Sequence, residues 1–353
     1  MKRDWKVWAP PLVILTGAVV GALGAVLARL GNPPNMGLCI ACFQRDIVGA
    51  LGLHRAGPVQ YLRPEIPGLV LGVVLAAAFH GELKGRTAAS PALSFVLGAL
   101  VMIGALVFLG CPIRMTLRLA GGDLNAVDGF AGFGAGIWVG TMLLRRGFSL
   151  GRSAPTALAP TLVLPTLAAG LLLLAMIRPA FIFASAEGPG SMAAPVLVSV
   201  GAGVLLGFLA QRSRLCFVGG IRDMLLIRSP HLLVGLVAAL LTAWLANLAL
   251  GQFRLGFADQ PIAHAAHLWS FLGMALVGLG SVLLGGCPMR QFVLASQGDG
   301  GAFAAIWGMF AGAAVAHNFN LAATPTGVPP GGKVVVATGL ALCLALGWSL
   351  REE

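Results

Sequence analysis

The amino-acid sequence predicts an all-α protein that crosses a lipid bilayer about ten times, and three observations point to this fold class. Apolar residues make up 58% of the 353 residues, charged residues only 10%, and the mean hydropathy is +0.91. A chain of this composition does not fold around one water-shielded core. Its apolar runs are about 20 residues long, enough to cross ~30 Å of hydrocarbon as helices. Finally, several motifs occur twice, which predicts two related halves.

Ten apolar runs are expected to be the transmembrane helices. The first continues well beyond Met1-Lys2-Arg3 and is long enough to span, so we expect a helix there rather than a cleaved signal. The predicted spans are 8–30, 64–81, 91–110, 124–144, 160–178, 191–211, 231–251, 266–286, 301–321 and 333–350.

Four stretches after the first, third, sixth and eighth runs are too polar or too broken to span. We predict a re-entrant hairpin with a short helix at each of them, at 32–53, 111–120, 212–227 and 287–297. Lipid cannot satisfy the hydrogen bonds of non-helical backbone, so these hairpins must be buried in protein or line a wet cavity.

Two cysteine motifs are duplicated. Gly110–Arg114 reads GCPIR and recurs 176 residues later as GCPMR in Gly286–Arg290, with Gly-Asp ending twelve residues beyond each cysteine. Leu38–Asp46 reads LCIACFQRD and recurs at an offset of 177 as LCFVGGIRD in Leu215–Asp223. An internal duplication therefore places four of the six cysteines.

The duplication divides the chain into a first repeat, 1–180, and a second repeat, 181–353, of five spans each. An odd number of spans places the second copy upside down in the bilayer, so the halves should form an inverted pair. Basic residues set the orientation. One side holds Lys2, Arg3, Lys6, Lys84, Arg86, Arg145, Arg146, Arg152 and Arg351, and the other mainly Arg178, Arg254 and Lys333. Both termini are therefore predicted to lie in the cytoplasm.

The Gly-Cys-Pro-x-Arg motif predicts a binding site for a small anion. Proline suits the first turn of a helix, so each cysteine should occupy the cap position of a short helix. The helix N-terminus attracts anions, and arginine adds a fixed charge. A thiol is a weak donor with a polarisable sulfur, a better partner for sulfur or selenium than for carboxylate or phosphate. The candidate substrate-binding residues are Cys39, Cys111, Cys216, Cys287, Arg45, Arg114, Arg222 and Arg290.

Other polar residues in the apolar sequence favour structural roles. Cys343 lies inside the last span without a motif, which is typical of a small apolar filler. We expect the four repeated aspartates to cap hairpin helices or neutralise arginines; they are Asp46, Asp123, Asp223 and Asp299.

Metal binding, nucleic-acid binding and ATP hydrolysis are not expected. His264 and His267 could bind a metal, but no further ligand lies close in sequence, so we predict no metal site and no cofactor. The net charge of +11 comes from dispersed residues at the ends of apolar runs, which argues against nucleic acid. No Gly-Lys-Ser phosphate loop occurs, so we expect a transporter that does not itself hydrolyse ATP, rather than an enzyme.

At the duplicated motifs the sequence resembles the YeeE/YedE family of membrane proteins, some of which take up thiosulfate. The stretch Asn32–Phe43, followed by Arg45-Asp46 and by Tyr61–Glu65, looks like the branch of selenium transporters. The resemblance implies an hourglass of inverted halves in a bacterial inner membrane, with substrate passed between cysteines at a central constriction. By motif match those are Cys111, Cys216 and Cys287, with Cys39 as the symmetric fourth. A cytoplasmic sulfur-carrier protein is an expected partner at the family level.

Two functions remain open from the sequence. One is transport, most simply uptake, of a small sulfur- or selenium-containing anion without covalent change. The other is transmembrane thiol–disulfide electron transfer, for which the C-x-x-C of Cys39 and Cys42 would be suited. Symmetric single cysteines near an arginine favour the first, because electron relay needs cysteine pairs that can close into a disulfide.

Overall fold

A computed structural model describes residues 9–350, and all its regular elements are helical. Within that range there are ten long and four short α-helices, three 3-10 turns and no β-strand beyond isolated bridges. The long helices are α1 Ala9–Arg29, α3 Glu65–Phe79, α4 Pro91–Phe108, α6 Asn125–Arg145, α7 Val163–Ile177, α8 Val196–Ser213, α10 Leu233–Ala249, α11 His267–Leu283, α13 Gly300–Asn318 and α14 Pro330–Ser349. The short helices are α2 Ile40–Ala50, α5 Pro112–Ala120, α9 Phe217–Ile227 and α12 Pro288–Ser296.

Each predicted span contains one long helix, and each predicted hairpin contains one short helix. In the described range, seven segments are long and apolar enough to cross a membrane, and α3, α7 and α10 are shorter apolar helices. The predicted fold class, an all-α polytopic membrane protein, is confirmed. Four basic residues used for the topology prediction, Lys2, Arg3, Lys6 and Arg351, lie outside the described residues.

The connecting segments form two polar faces at opposite ends of the helices. On one, which we call face A, the loop after α3 contacts the segment before α13, with Lys84 N donating to Gln297 O at 3.0 Å. On the other, face B, the segment before α3 contacts the linker between the halves, with Ser185 N donating to Gln60 O at 2.9 Å. Arg254 N also donates to Gly121 O on face B.

Both ends of the described chain lie toward face A. The α10 helix ends at face B, where Gln252 Nε2 donates to Ala25 O near the end of α1, so the parallel helix α1 begins at face A. At the other end of the chain, the Arg146 guanidinium lies over the Trp348 ring, 4.6 Å from its centroid, beside the end of α14.

The long helices pack mainly across the halves rather than within them. The tightest pairs are α1 with α10, α3 with α8, α4 with α13 and α6 with α11. All four pairs are parallel, since contacts advance together by four residues, as in Gly132 on Phe271 followed by Gly136 on Ala275. A Cβ atom at either glycine would collide with the facing backbone carbonyl, so these positions need glycine.

The packing repeats with the same offset as the sequence motifs. The α1–α10 contact corresponds to α8–α3, and α5–α10 corresponds to α12–α3. The equivalent helices α4 and α11 run antiparallel, with Gly104 beside Gly273 and Val101 beside Gly280. This is the arrangement expected of inverted halves. It breaks only at the last helix of each half, because α7 packs on α3 whereas α14 packs on α11.

Candidate functional site

Three thiols of the first half meet at the start of two short helices. Cys39 caps α2, where its Sγ accepts a hydrogen bond from Cys42 N at 3.3 Å. The Cys39 Sγ lies 2.9 Å from Cys42 Sγ and 3.7 Å from Cys111 Sγ, and all three side chains are buried. We call these residues the first thiol cluster.

The second half repeats this arrangement with two thiols. Cys216 caps α9, and its Sγ accepts hydrogen bonds from Gly219 N at 3.3 Å and from Cys287 N at 3.4 Å. Gly219 takes the place that Cys42 has in the first half. We call Cys216 and Cys287 the second thiol cluster. Cys111 and Cys287 both precede a proline and occupy the cap positions of α5 and α12, as predicted.

The clusters bring together cysteines of the same half. Cys111 contacts Cys39, and Cys287 contacts Cys216, so the duplicated Gly-Cys-Pro motifs do not face each other directly. Across residues 9–350 no disulfide is formed. Cys343 is buried in α14 away from both clusters, which agrees with its predicted role as a filler.

The two repeated arginines of the Gly-Cys-Pro-x-Arg motif differ in their surroundings. Arg114 is fully buried and donates to the backbone carbonyl oxygens of Asn35, Leu109 and Ile262, while its Nη1 lies 3.6 Å from Cys42 Sγ. The Nη1 of Arg290 is also buried but has no hydrogen-bond partner among the described residues. The donors of Arg114 therefore serve the backbone, whereas Arg290 keeps a donor unused.

The other two predicted arginines are neutralised by neighbouring aspartates. Arg45 pairs with Asp46 at 2.7 Å and Arg222 with Asp223 at 2.8 Å. Of the remaining repeated aspartates, Asp123 pairs with Arg118 at 2.6 Å, and Asp299 caps α13 through Ala302 N at 2.8 Å. Three of the four aspartates thus neutralise arginines as predicted, whereas Asp299 caps a long helix rather than a hairpin helix.

A polar vestibule opens at each face, next to one thiol cluster. The face-A vestibule has a volume of about 280 Å³ and reaches Arg290, in the first turn of α12 after Cys287. Its lining is Glu82, Lys84, Arg86, Arg214, Arg290, Leu294, Gln297 and Asp299. The face-B vestibule, of about 260 Å³, reaches Asn35, the residue whose carbonyl accepts from Arg114. Neither lining includes a cysteine, so each vestibule ends at the residues around one motif arginine.

Several buried polar residues around the first cluster were not singled out from the sequence. Arg63 donates to Asp46 at 2.7 Å and to the carbonyls of Pro189 and Met192, which ties the hairpin to the linker between the halves. Glu65 accepts from Asn32 and Ser199. Arg63 and Glu65 lie in the selenium-branch stretch, but they are not duplicated, so the repeat gave no sign of them.

The two candidate metal-binding histidines serve other partners. His264 Nε2 hydrogen-bonds Val107 O at 2.8 Å, and burial lowers the pKa of this imidazole below its ordinary value of 6.5. His267 Nδ1 lies 2.7 Å from an Asp128 carboxylate oxygen. No group of three His, Cys, Asp or Glu side chains arranged to hold a metal ion occurs between residues 9 and 350, and the three thiols of the first cluster do not form one.

Comparison with known proteins shows a similarity to sulfur transporters over part of the chain. Residues 212–348, which contain Cys216, Cys287 and Arg290, match the family model described as "Sulphur transport". The thiosulfate transporter TsuA of Escherichia coli (strain K12) is 32% identical over 105 residues. The match covers 30% of this chain and 29% of the transporter, so the chain spans less than a third of that relative's length.

Proposed function

We propose that this chain, which matches the sulphur-transport family model over residues 212–348, carries a small sulfur- or selenium-containing anion across the membrane through a cysteine-lined constriction. One observation carries the proposal. Two thiol clusters lie at the buried N-termini of short helices, and two vestibules at opposite faces reach the arginine of one Gly-Cys-Pro-x-Arg motif each, Arg290 directly and Arg114 through its acceptor Asn35. An anion entering at one face would meet the two clusters in turn.

The thiols act as ligands in this proposal, without exchange of bonds. A terminal sulfur or selenium is large and weakly hydrated, so weak S–H donors can replace part of its water shell and still release it. The N-termini of the short helices favour negative charge at the same points. The four cysteines are Cys39 and Cys111 in the first cluster and Cys216 and Cys287 in the second.

Thiosulfate and a selenium anion share the chemistry that this site would recognise. The relative TsuA favours thiosulfate, whereas the resemblance of Asn32–Phe43 favours selenium. Growth of a host strain without its own uptake systems, supplied with limiting thiosulfate or limiting selenite, separates the two substrates.

We further propose that 1–180 and 181–353 are inverted repeats in a bacterial inner membrane, with both termini in the cytoplasm and uptake toward face A. The basic residues Lys84, Arg86 and Arg145 support this orientation. A cytoplasmic sulfur-carrier protein is the proposed acceptor. A periplasmic reporter fused between Arg178 and Met192 should be active, and a cytoplasmic signal there would overturn the orientation.

Replacement of single cysteines tests the proposal. Alanine at Cys111, Cys216 or Cys287 should abolish uptake into proteoliposomes, and serine should restore little because its harder oxygen holds water too well. Cys343→Ala is the matched control, since this buried thiol lies away from both clusters, and should be silent. Equal uptake by Cys287→Ala and Cys343→Ala would rule out cysteine ligands and leave a basic pore.

The electron-carrier alternative keeps one supporting observation. Cys39 Sγ and Cys42 Sγ lie 2.9 Å apart, close enough for the pair to be oxidised with little movement. Alkylation with and without reductant counts the free thiols. A Cys39–Cys42 bridge that cycles with a soluble thiol partner would favour the carrier, and six free thiols throughout transport would exclude it.

A further inference from the structure

We propose that the face-A vestibule is an anion-binding site in its own right, formed by Arg290, Arg214, Arg86 and Lys84 and independent of the thiols. It takes a small divalent oxoanion such as thiosulfate or sulfate. The inference rests on the proposed function only for the physiological anion, because binding itself can be measured without transport.

The first observation is unbalanced charge. Four basic and two acidic side chains line the vestibule, and both acids already have partners. Glu82 accepts from Gln211 at 2.6 Å and from Arg212 at 3.3 Å, and Asp299 caps α13. None of the ion pairs found in residues 9–350 involves Lys84, Arg86, Arg214 or Arg290. The cap leaves the charge of Asp299 in place, so four basic and two acidic residues give the lining a net charge of +2 that is available to a ligand.

The second observation is the buried donor at its floor. Arg290 Nη1 is shielded from solvent and unpartnered, although a buried donor without a partner costs about 1–3 kcal/mol. Each of the three side-chain nitrogens of the equivalent Arg114 donates to a backbone carbonyl, so burial of the arginine does not itself require an unused donor. A small rotation of this half-buried, vestibule-lining guanidinium would let an anion oxygen supply the missing acceptor.

The third observation is the position of Arg214. This residue ends α8 with φ 58°, in the left-handed region where glycine is the usual helix-terminating residue. Arg178 and Arg228 end α7 and α9 in the same conformation outside the vestibule, so this backbone conformation does not itself indicate a ligand, whereas the place of the Arg214 side chain does. Its guanidinium lines the vestibule together with Arg86 and Lys84.

The arrangement forms a graded site with an exposed rim and a buried floor. Lys84, Arg86 and Arg214 are exposed and attract anions over a distance that salt shortens. Arg290 then binds at close range, where less water competes for its donors. Among the residues that line the face-B vestibule, the basic ones are Arg29 and Arg254, and Arg254 forms an ion pair with Asp259 at 3.6 Å. The two faces should therefore differ in anion affinity.

Isothermal titration of the purified full chain in nanodiscs with sodium thiosulfate and with sodium sulfate tests this site. The wild-type protein should bind both anions, more weakly as sodium chloride is raised. Arg290→Gln should lose about tenfold or more in affinity, the loss expected for a hydrogen bond to a charged group. Arg214→Gln should lose about two- to fivefold, as for an exposed charge.

Two controls separate this proposal from the transport proposal. Arg152→Gln removes an exposed charge outside the vestibule and should bind like the wild type, and Cys216→Ala should keep its affinity while losing uptake. The vestibule site is overturned if the wild type shows no saturable binding, if Arg290→Gln and Arg214→Gln bind unchanged, or if Arg152→Gln weakens binding equally. Loss of binding in Cys216→Ala would place the anion at the thiols instead.

Discussion

Asp46 and Asp223 occupy equivalent positions in the two halves, yet replacing them by alanine should have very different consequences. Asp46 is fully buried and accepts from two buried arginines, Arg45 on Oδ1 and Arg63 on Oδ2, each at 2.7 Å. Asp223 pairs with Arg222 alone, and side-chain exposures of 21% and 24% leave this pair in contact with solvent.

The burial sets the magnitude. Removing one partner of a buried ion pair costs about 3–5 kcal/mol, because a charge remains without compensation, and Asp46→Ala leaves two such charges. A surface pair contributes about 0–1 kcal/mol, so Asp223→Ala should be nearly neutral. The loss at Asp46 should also loosen the hairpin that carries Cys39 and Cys42, since Arg63 ties this hairpin to the linker through Pro189 and Met192.

The unfolding free energy of the purified variants, measured by steric trapping in bicelles, checks this difference. Asp46→Ala should lose clearly more unfolding free energy than Asp223→Ala, and Asp46→Asn should lie between Asp46→Ala and the wild type. Equal losses for Asp46→Ala and Asp223→Ala would show that burial in this structure does not control the strength of these pairs.

Three further outcomes follow from the packing and the polar contacts. Gly132→Ala should destabilise the protein by about 1–3 kcal/mol, because the new Cβ would collide with Phe271 O. A Cβ at Gly134 meets nothing within 4 Å, so Gly134→Ala should be neutral or stabilising. Thermal unfolding in detergent compares the two variants, and equal melting temperatures would contradict the close α6–α11 contact. Arg290→Met should fold normally and show weaker uptake. Arg114→Met should give less folded protein, because three backbone carbonyls lose their hydrogen-bond donor. Size-exclusion profiles report folding and uptake assays report transport, and the reverse pattern would exchange the roles of the two arginines. Burial lowers the pKa of His264 in the folded state, so the unfolded chain binds more protons than the folded one as the pH falls through about 6.5, and the free energy of unfolding should decrease. This decrease should be smaller in His264→Gln. An unchanged pH profile in that variant would assign the pH dependence to other groups.

The apolar runs were sufficient to predict the long helices, the polar interruptions between them the short helices, and the duplicated motifs several local contacts. A proline after cysteine determines a helix cap locally, so Cys111 and Cys287 could be placed from sequence. The aspartates likewise act on residues close in the chain, as Asp299 does on Ala302. Such features depend on a few neighbouring residues, which the sequence displays directly.

The repeat could not show where the two copies differ. Arg114 and Arg290 share one motif, but Asn35 and Ile262 come from distant loops and reach only Arg114. The pairing of thiols within each half also depends on how two hairpins pack, which neither motif contains. The vestibule residues Lys84 and Arg86 were used only for topology, because their shared cavity with Arg290 joins segments about 200 residues apart.

The parallel helix pairs limit how the protein can move. Each pair joins the two halves through glycines whose Cα atoms touch the facing backbone, so rocking one half against the other would pull all four seams apart together. Carriers that alternate between faces commonly move one repeat as a rigid body. We therefore expect the long helices to act as a frame and the short helices that carry the thiols to be the elements that shift. An anion would then advance by displacements of single side chains, at rates closer to those of a channel than of a rocking carrier.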